Sequence, residues 1–263
     1  MSGPLWQALR DALSRLGEDG RPIDFWLRDD DLVAPSLALD RLIAVAGNVP
    51  LALAVIPALA EPALVERLNP LPGVTVLQHG FSHANHAASG KKCELGSDRP
   101  LSVVLGELAE GRQRLGMFAQ VADILVPPWN RIGDEVVAGL PALGFRALSV
   151  YGDRAAPADR DAGGDGSGGG DLLRLNTHVD PIDWHGTRGF RGEEAVLGEL
   201  MARLARLQDG AAERDEPTGI LTHHLVHDDA GFDFLANLLP AITEHAACRW
   251  QSAQTLLGLE VTR

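Results

Sequence analysis

Two spacings of hydrophobic residues alternate along the chain, one helical and one typical of buried strands. Apolar residues at helical intervals predict amphipathic helices, because such positions share one face of a helix. Short continuous apolar runs between turn residues are typical of strands that are buried on both faces. The predicted helices cover residues 4–16, 36–46, 62–68, 101–118, 135–143, 193–207 and 232–245, and a last helix begins near residue 252.

The predicted strands fall between these helices. They cover residues 23–27, 50–56, 74–77, 124–126, 147–150, 172–175 and 219–222. A strand–helix alternation repeated about seven times predicts a parallel sheet that is closed, or nearly closed, into a barrel. The pattern therefore predicts an α/β fold, as a single domain over residues 1–263.

Residues 153–171 interrupt this alternation. They are rich in glycine, aspartate and alanine and show no apolar period. Because such a composition buries little apolar surface, we expect a flexible surface insertion within the single domain.

Length and charge narrow the classes of function. The 263 residues, 45% of them hydrophobic, can bury a substantial core. The net charge of −13 disfavours nucleic acid and anionic membranes as partners, since both attract clusters of Lys and Arg. The two cysteines, Cys93 and Cys248, suggest no disulfide framework, and no stretch resembles a signal peptide or a membrane span. We expect a cytoplasmic protein.

Two polar clusters directly follow predicted strands. An acidic run at residues 29–31, preceded by Arg28, follows the first strand, and the third strand leads into the histidine-rich segment 79–83. His79 and His83 stand four residues apart, a spacing that on a helix places both imidazoles on one face. The carboxyl ends of barrel strands share one rim, so a carboxylate can join them there. One carboxylate and two imidazoles indicate one divalent metal, most simply Zn²⁺ but also Co²⁺, Ni²⁺ or Fe²⁺.

Three further polar clusters follow later strands and are expected at the same rim. They are the pair Trp129 and Asn130, the segment 180–184, and the pair His223 and His224. A metal lowers the pKa of its bound water toward neutrality, which makes that water a nucleophile. A second carboxylate can then act as general base, and a histidine can protonate a leaving amine.

These residues, in this order, resemble the motifs of the polysaccharide deacetylase family, the fourth family of carbohydrate esterases. The family's first motif, Thr-Phe-Asp-Asp-Gly, is similar to residues 27–32, with Leu32 in the glycine position. The second, His-Ser/Thr-x-x-His/Asp, is similar to residues 79–83. The fifth, Ile/Val-Leu-x-His, matches residues 220–223. The resemblance spans about residues 23–228.

The third and fourth motifs resemble the family less closely. The third, Arg-x-Pro-Tyr/Phe-Gly, is similar to residues 126–130, where Val126 replaces the arginine and Asn130 the glycine. Arg28 or Arg131 can substitute for that arginine. The fourth, Asp-x-x-Asp-Trp, looks like residues 180–184.

The resemblance implies an irregular (β/α)7 barrel and a metal-dependent hydrolase that removes an acetyl or other N-acyl group from a sugar or related small substrate. It implies that Asp30 is the base and His223 the acid. The earlier register, with Asp29 as base and Asp30 on the metal, is an alternative, as is His224 as acid. The implied metal ligands are Asp31, His79 and His83, and the implied substrate contacts are Trp129, Asn130, Asp180, Asp183 and Trp184.

Two other functions remain open at this point. One is an amidohydrolase that acts on a small amide other than a glycan. The other is a metal-binding barrel without catalysis, which the altered third motif favours. The presence of a base and an acid beside the metal ligands favours a hydrolase, because a pure binder needs neither. Either Asp180 or Asp183 is expected to orient His223.

Overall fold

The computed structural model of the protein describes residues 3–154 and 172–258. Its helices are α1 (Pro4–Leu16), α2 (Leu37–Ala46), α3 (Ala63–Leu68), α4 (Leu101–Leu115), α5 (Asp134–Gly139), α6 (Glu193–Gln208), α7 (Asp229–Thr243) and α8 (Ala253–Leu256). Its strands are β1 (Ile23–Leu32), β2 (Leu51–Val55), β3 (Val74–His79), β4 (Val121–Val126), β5 (Ala147–Leu148), β6 (Leu173–Arg174), β7 (Thr218–Thr222) and β8 (Cys248–Trp250).

The strands form one parallel sheet in the order β6-β5-β4-β3-β2-β1-β7, with β8 beside the start of β1. The sheet curls into a ring that closes just beyond β6. There the N–H groups of His178 and Val179 both donate to the Gly219 carbonyl, and Leu221 donates to the Val179 carbonyl. The α/β barrel expected from the sequence is confirmed. It is irregular because β5 and β6 have only two residues each.

The ring separates two apolar layers. Along β1, Phe25 and Leu27 pack into the layer beneath the helices, whereas Trp26 packs into the interior of the ring. The interior layer is rich in small side chains, namely Ala52, Ala54, Ala122 and Ala147. These alanines leave room for Trp26 and for the fully buried Arg28.

The first strand is longer than the sequence predicts. The hydrophobic run ends at residue 27, but β1 continues through the acidic run to Leu32. Alternation along an extended strand turns Arg28 and Asp30 into the ring and Asp29 toward the helices. A charged group inside a strand is costly unless it has a partner, so a hydrophobic pattern does not predict this extension.

The remaining boundaries differ little from those expected. Helix α1 has the predicted limits, and α4 stops at Leu115 rather than residue 118. The predicted helix 135–143 is divided into α5 and a short 3₁₀ turn that ends at Gly144, whose φ is 84°. Strand β8 is not predicted, because three residues are too few to show an alternation.

The predicted insertion at 153–171 lies almost wholly outside the described residues. Its first two residues are described and make ion pairs. Asp153 contacts Arg203 and Arg206, and Arg154 contacts Glu213. The start of the segment is therefore anchored to α6 and to the residues that follow it.

Helix length bears on membrane crossing. The most extended helix in the described part of the chain, α6, has 16 residues. Across residues 3–154 and 172–258, no helix has the length and apolar character to span a bilayer.

Candidate metal centre and active site

Asp31, His79 and His83 converge at the carboxyl end of the sheet. Asp31 Oδ1 lies 3.0 Å from His79 Nε2 and 3.2 Å from His83 Nε2. One ligand atom from each residue lies within 4.8 Å of the other two. A carboxylate and two imidazoles at this separation form a potential metal-binding triad that leaves further positions for water or substrate.

The surroundings of His79 support a cation at this point. Its Nδ1 lies 2.9 Å from the Val126 carbonyl oxygen, which can only accept, so Nδ1 is assigned the proton. Nε2 then presents its lone pair to the Asp31 carboxylate, 3.0 Å away. Two acceptors that face each other at this distance need a cation between them, either a proton or a metal ion. The triad therefore fits a divalent metal.

The local charges keep Asp31 available as a ligand. Burial alone would raise the pKa of its carboxyl, but hydrogen bonds from His79 and His83 hold that pKa well below its ordinary value. Burial alone would lower the pKa of His79, but Asp31 and Asp30 raise it above its ordinary value. Both shifts reflect a negative carboxylate that pairs with positive charge.

The four-residue spacing of the histidines does not act through a helix. His79 is the last residue of β3, and His83 lies in the following loop. Gly80 and His83 both adopt left-handed backbone, with φ of 52° and 57°. A Cβ on Gly80 would lie 2.0 Å from Glu94 Oε2, so this turn needs glycine. The turn, rather than a helix face, brings the two imidazoles together.

Glu94 holds this turn from behind. The side chain is buried, with Oε1 accepting from the Ser82 N–H at 2.7 Å and from the Ser82 hydroxyl at 2.9 Å. Oε2 accepts from the Phe81 N–H at 3.2 Å. One carboxylate thus pairs with the donors of both residues that precede His83, and it fixes the position of that ligand.

Left-handed backbone is concentrated at this site. Among the described residues, five other than glycine have positive φ, and four of them lie here. They are Asp31, His83, Trp129 and Asn130, with φ between 55° and 68°. Such backbone costs on the order of 1 kcal/mol or more per residue and is typical of functional sites.

Asp30 is paired with Arg28 inside the ring. Arg28 Nη2 donates to Asp30 Oδ2 at 2.9 Å, and Nε lies 2.9 Å from Oδ1. Arg28 Nη1 also donates to the Ser149 hydroxyl at 2.6 Å. Of the two arginines considered as substitutes for the third motif's arginine, Arg28 is the one that pairs with Asp30. Arg131, the other candidate, donates instead to the Lys92 carbonyl.

His223 lies near the triad, just after the end of β7. Its positive form is close enough to contribute to lowering the pKa of the Asp31 carboxyl, after burial and the two ligand histidines. The Trp184 ring meets it edge-on, with 4.7 Å between the ring centroids. Trp184 Nε1 donates to Asp180 Oδ2 at 2.7 Å. Burial raises the pKa of Asp180 above its ordinary value, although His223 and Trp184 oppose that shift.

Of the two carboxylates considered for orienting His223, Asp180 is the one beside it. Asp180 has no direct hydrogen bond to His223 among the described residues; its side chain accepts from the Trp184 indole N–H and from the Ile182 N–H. Asp183 instead accepts from the N–H groups of Gly186 and Thr187. Asp183 therefore stabilises the turn that follows Trp184.

Two residues of the third motif, Trp129 and Asn130, lie beside His83 and Arg28 respectively. The Trp129 ring lies against the His83 ring, with 4.4 Å between centroids, and Lys92 Nζ lies 5.8 Å from the Trp129 centroid. Asn130 Oδ1 lies 3.4 Å from Arg28 Nη2. Trp129 therefore forms a wall beside a ligand, whereas Asn130 faces the Arg28 guanidinium.

Asp29 and His224 form a separate buried pair. His224 is 1% exposed, and its Nδ1 lies 2.5 Å from Asp29 Oδ1. Asp29 is on the opposite face of β1 from Arg28 and Asp30. The aspartate within ligand distance of His79 and His83 is Asp31. The assignment of base and metal ligand between the two registers stays a prediction.

A second group of ligand-type residues does not fit a metal. Asp153, His178 and Glu216 also lie within ligand distance of one another. The Gly219 N–H donates to His178 Nδ1 at 3.0 Å, so the proton of a neutral ring is on Nε2, 3.4 Å from Glu216 Oε1. Arg203 contacts Asp153 at 2.7 Å and Glu216 at 2.9 Å. The group is a buried ion-pair network.

Sequence reasoning missed the roles of Glu94, Ser149 and Asp29. Glu94 belongs to no motif, and its sole signal is an acidic residue in the loop that follows the histidines. Ser149 continues a predicted strand and resembles any small strand residue. Asp29 is visible as the extra aspartate of the acidic run, although its partner 195 residues away is not.

Comparison with known proteins adds information at the level of fold. No protein family and no curated protein matches the sequence. Among solved structures, the chain has the fold of polysaccharide deacetylases and family 4 carbohydrate esterases.

Three of these structures show the extent of the likeness. A putative polysaccharide deacetylase from Mycobacterium smegmatis is 13% identical, with a TM-score of 0.61 over 92% of this chain and 91% of that chain. The chitin deacetylase of Colletotrichum lindemuthianum is 13% identical, with a TM-score of 0.54 over 92% and 90%. The peptidoglycan deacetylase PdaC from Bacillus subtilis is 14% identical, with a TM-score of 0.51 over 91% of both chains.

Proposed function

We propose that the protein is a metal-dependent hydrolase that removes an acetyl or other N-acyl group from a sugar or related small substrate. One observation carries the proposal. The triad of Asp31, His79 and His83 has two further groups close to it: a buried carboxylate paired with its own cation, Asp30, and a histidine beside a tryptophan, His223. That arrangement holds a metal, a base and an acid together at one rim of the barrel.

Asp31, His79 and His83 would hold the metal. A divalent cation there supplies Lewis-acid polarisation of the acyl carbonyl and lowers the pKa of an adjacent water. We propose zinc, because one carboxylate and two imidazoles suit it, with cobalt, nickel and iron as substitutes. Glu94 keeps the loop that carries His83 in the geometry this binding requires.

Asp30 acts as general base. It accepts a proton from the water that attacks the acyl carbon, while Arg28 neutralises and orients its carboxylate from within the ring. Since Arg28 is fully buried and held by Ser149, it keeps the Asp30 carboxylate in one orientation. General acid–base transfer of this kind contributes about 10²–10⁴-fold in rate.

His223 acts as general acid. As the bond between the acyl carbon and nitrogen breaks, its imidazolium gives a proton to the departing nitrogen, so the products are a carboxylate and a free amine. Trp184 supports one side of the ring, and Asp180 fixes Trp184 through its indole N–H.

Trp129 and Trp184, which lie beside the proposed ligand His83 and the proposed acid His223, could both contact a sugar ring. Trp129 lies against His83 and Trp184 against His223, so each indole lies beside one of the groups that would act on the substrate. Aromatic faces offer the apolar, planar surface on which a pyranose stacks. The chitin and peptidoglycan deacetylases that share the fold support a glycan substrate. A cytoplasmic location, expected from the sequence, stays a prediction.

The test is metal analysis of the purified protein combined with acetate release from a panel of N-acetylated sugars, oligosaccharides and small acylated amines. Bound metal together with acetate from a sugar is the expected result. Release from small amides alone would favour the amidohydrolase. Bound metal with no release from any member would overturn the hydrolase and favour a binding barrel. No metal after reconstitution would refute the site itself.

A further inference from the structure

Asp29 makes an unusually complete set of contacts for a carboxylate that faces away from the site. It is fully buried, and its Oδ2 accepts from the Thr222 hydroxyl at 2.7 Å and from the His224 N–H at 2.8 Å. Its Oδ1 lies 2.5 Å from His224 Nδ1. Every polar contact of this side chain goes to the two residues on either side of His223.

These contacts begin where the backbone pairing between β1 and β7 stops. The last paired residues are Asp29 and Thr222, after which the chain leaves the sheet. The next backbone hydrogen bonds of this segment are the turn bonds from Val226 and His227 to the His223 carbonyl. The Asp29 side chain therefore extends the attachment to β1 past His223, which would otherwise begin a free loop.

We propose that Asp29 is a positioning residue for the acid of the reaction. It clamps residues 222 and 224 to β1 and thereby directs His223 toward the departing nitrogen. The aspartate run thus has Asp30 and Asp31 on the substrate side and Asp29 behind His223. A β-bulge between Asp29 and Leu32, where Asp31 has a φ of 68°, interrupts the alternation that would otherwise place Asp31 on the same face as Asp29. This inference rests on the proposed function, in which His223 donates that proton.

The clamp predicts a selective defect. Cleavage of an amide requires a proton on the departing nitrogen, whereas 4-nitrophenolate leaves an ester without one. A displaced His223 therefore slows amide cleavage and spares the aryl ester. A general loss of fold or of metal slows both substrates alike.

The experiment compares kcat on an N-acetylated sugar with kcat on 4-nitrophenyl acetate, using variants of the full chain with metal content equal to the wild type. Asp29→Ala should lower the amide rate about 10–100-fold more than the ester rate, because a displacement near 1 Å can cost that much. His223→Ala should show the same selectivity. Equal losses on both substrates for Asp29→Ala would overturn the proposal.

Asp29→Asn tests whether the hydrogen bonds of residue 29, rather than its charge, hold residues 222 and 224 in place. The single oxygen of asparagine can still accept from the Thr222 hydroxyl and from the His224 backbone N–H. Its amide group can donate to His224 Nδ1 once the imidazole proton moves to Nε2. His224 Nε2 has no hydrogen-bond partner among the described residues, so it is free to carry that proton. This variant should recover most of the amide rate. A loss as large as in Asp29→Ala would contradict the clamp. Glu216→Gln, which alters a different buried carboxylate, should slow both substrates equally or neither.

Hydrogen exchange at the His224 amide tests the clamp independently of turnover. Exchange should be faster in Asp29→Ala than in wild type and unchanged in Asp29→Asn, because only alanine removes the acceptor.

If Asp29→Ala does not fold, Thr222→Val removes one donor and should give a smaller, still amide-selective defect. If wild-type protein cleaves no amide, the proposed function fails, and the exchange result alone decides whether Asp29 clamps the segment. Unaltered exchange in Asp29→Ala would refute the clamp.

Discussion

The guanidinium of Arg28 lies against the carboxylate of Asp30 inside the barrel, so the proposed base has a charge partner two residues away on its own strand. The two residues are neighbours on one face of β1, where small side chains leave space for both. A cation from the third motif is not needed in this arrangement. We propose that this pair takes the place of the arginine that Val126 replaces in the third motif.

Arg28→Met should destabilise the fold strongly, because it leaves Asp30 buried without its partner. Loss of one member of a buried ion pair costs about 3–5 kcal/mol. Urea denaturation, read as the free energy of unfolding, measures this. Arg41→Met removes the partner of the largely exposed Asp229 and should cost under about 1 kcal/mol. Equal losses in the two variants would show that the Arg28 pair is energetically unimportant.

Asp30→Asn should retain bound metal and lose turnover. The amide cannot accept a proton at neutral pH, so the rate should fall about 10²–10⁴-fold. Elemental analysis and acetate release on the same sample measure both quantities. Asp183→Asn, at the carboxylate that caps a turn, should keep both metal and most activity. Loss of metal from Asp30→Asn would point to the earlier register, with Asp30 as the ligand.

Glu94→Gln should weaken metal binding without touching a ligand. A glutamine has one oxygen, so its amide nitrogen must face the N–H of either Phe81 or Ser82, and one side of the turn loses its acceptor. Supporting residues of this kind typically change metal affinity by about 10–100-fold. Competition against a chromophoric chelator measures the dissociation constant. Glu66→Gln on the exposed face of α3 is the matched control, and equal affinities in the two variants would dismiss the role of Glu94.

The metal stoichiometry should be one ion per chain. The network of Asp153, His178 and Glu216 has a protonated nitrogen where a ligand would need a lone pair, and it has Arg203 as its cation. Elemental analysis should therefore give the same metal content for Glu216→Gln as for wild type, and none for His83→Ala. A second equivalent that disappears in Glu216→Gln would establish the site that we exclude.

His227 should make the fold less stable in acid. Burial is the main cause that lowers the pKa of this histidine from 6.5 to about 4. The unfolded chain binds the proton more readily, so the stability that His227 contributes is full above pH 6.5 and is lost as the pH falls toward 4. The loss across this interval should be about 3 kcal/mol.

Urea titrations of chelator-treated protein at several pH values measure this effect. His227→Leu should flatten the acid limb of the stability curve by about the stated amount. His185→Gln, at an exposed histidine, should leave the curve unchanged. A curve for His227→Leu that parallels wild type would show that other groups govern the acid sensitivity.

The helices and most strands follow from the hydrophobic pattern, because burial of apolar faces is what that pattern encodes. Helix α1 has the predicted limits for this reason. The extension of β1 through residue 32 could not be predicted, since a charged strand is stable only with partners such as Ser149 and His224. Those partners lie more than 100 residues away, and proximity in space leaves no local trace in the sequence.

The candidate site, like the fold, could be predicted from the sequence only in part. The type of each ligand, carboxylate or imidazole, could be inferred from residue chemistry and strand position. The route by which His79 and His83 meet could not, because it depends on left-handed backbone at Gly80 and His83. The spacing alone is compatible with a helix, whereas the left-handed backbone of Gly80 and His83 makes this segment a turn.

The left-handed backbone at the site affects any attempt to raise the heat stability of this protein by mutation. Glycine at position 31, 83, 129 or 130 relieves backbone strain, so a screen for heat resistance alone rewards it. The same substitution removes a proposed metal ligand, a proposed aromatic wall or the amide beside Arg28. Selection for thermal tolerance and selection for chemistry therefore pull in opposite directions at these four positions. A library that leaves them unchanged can pursue both aims together.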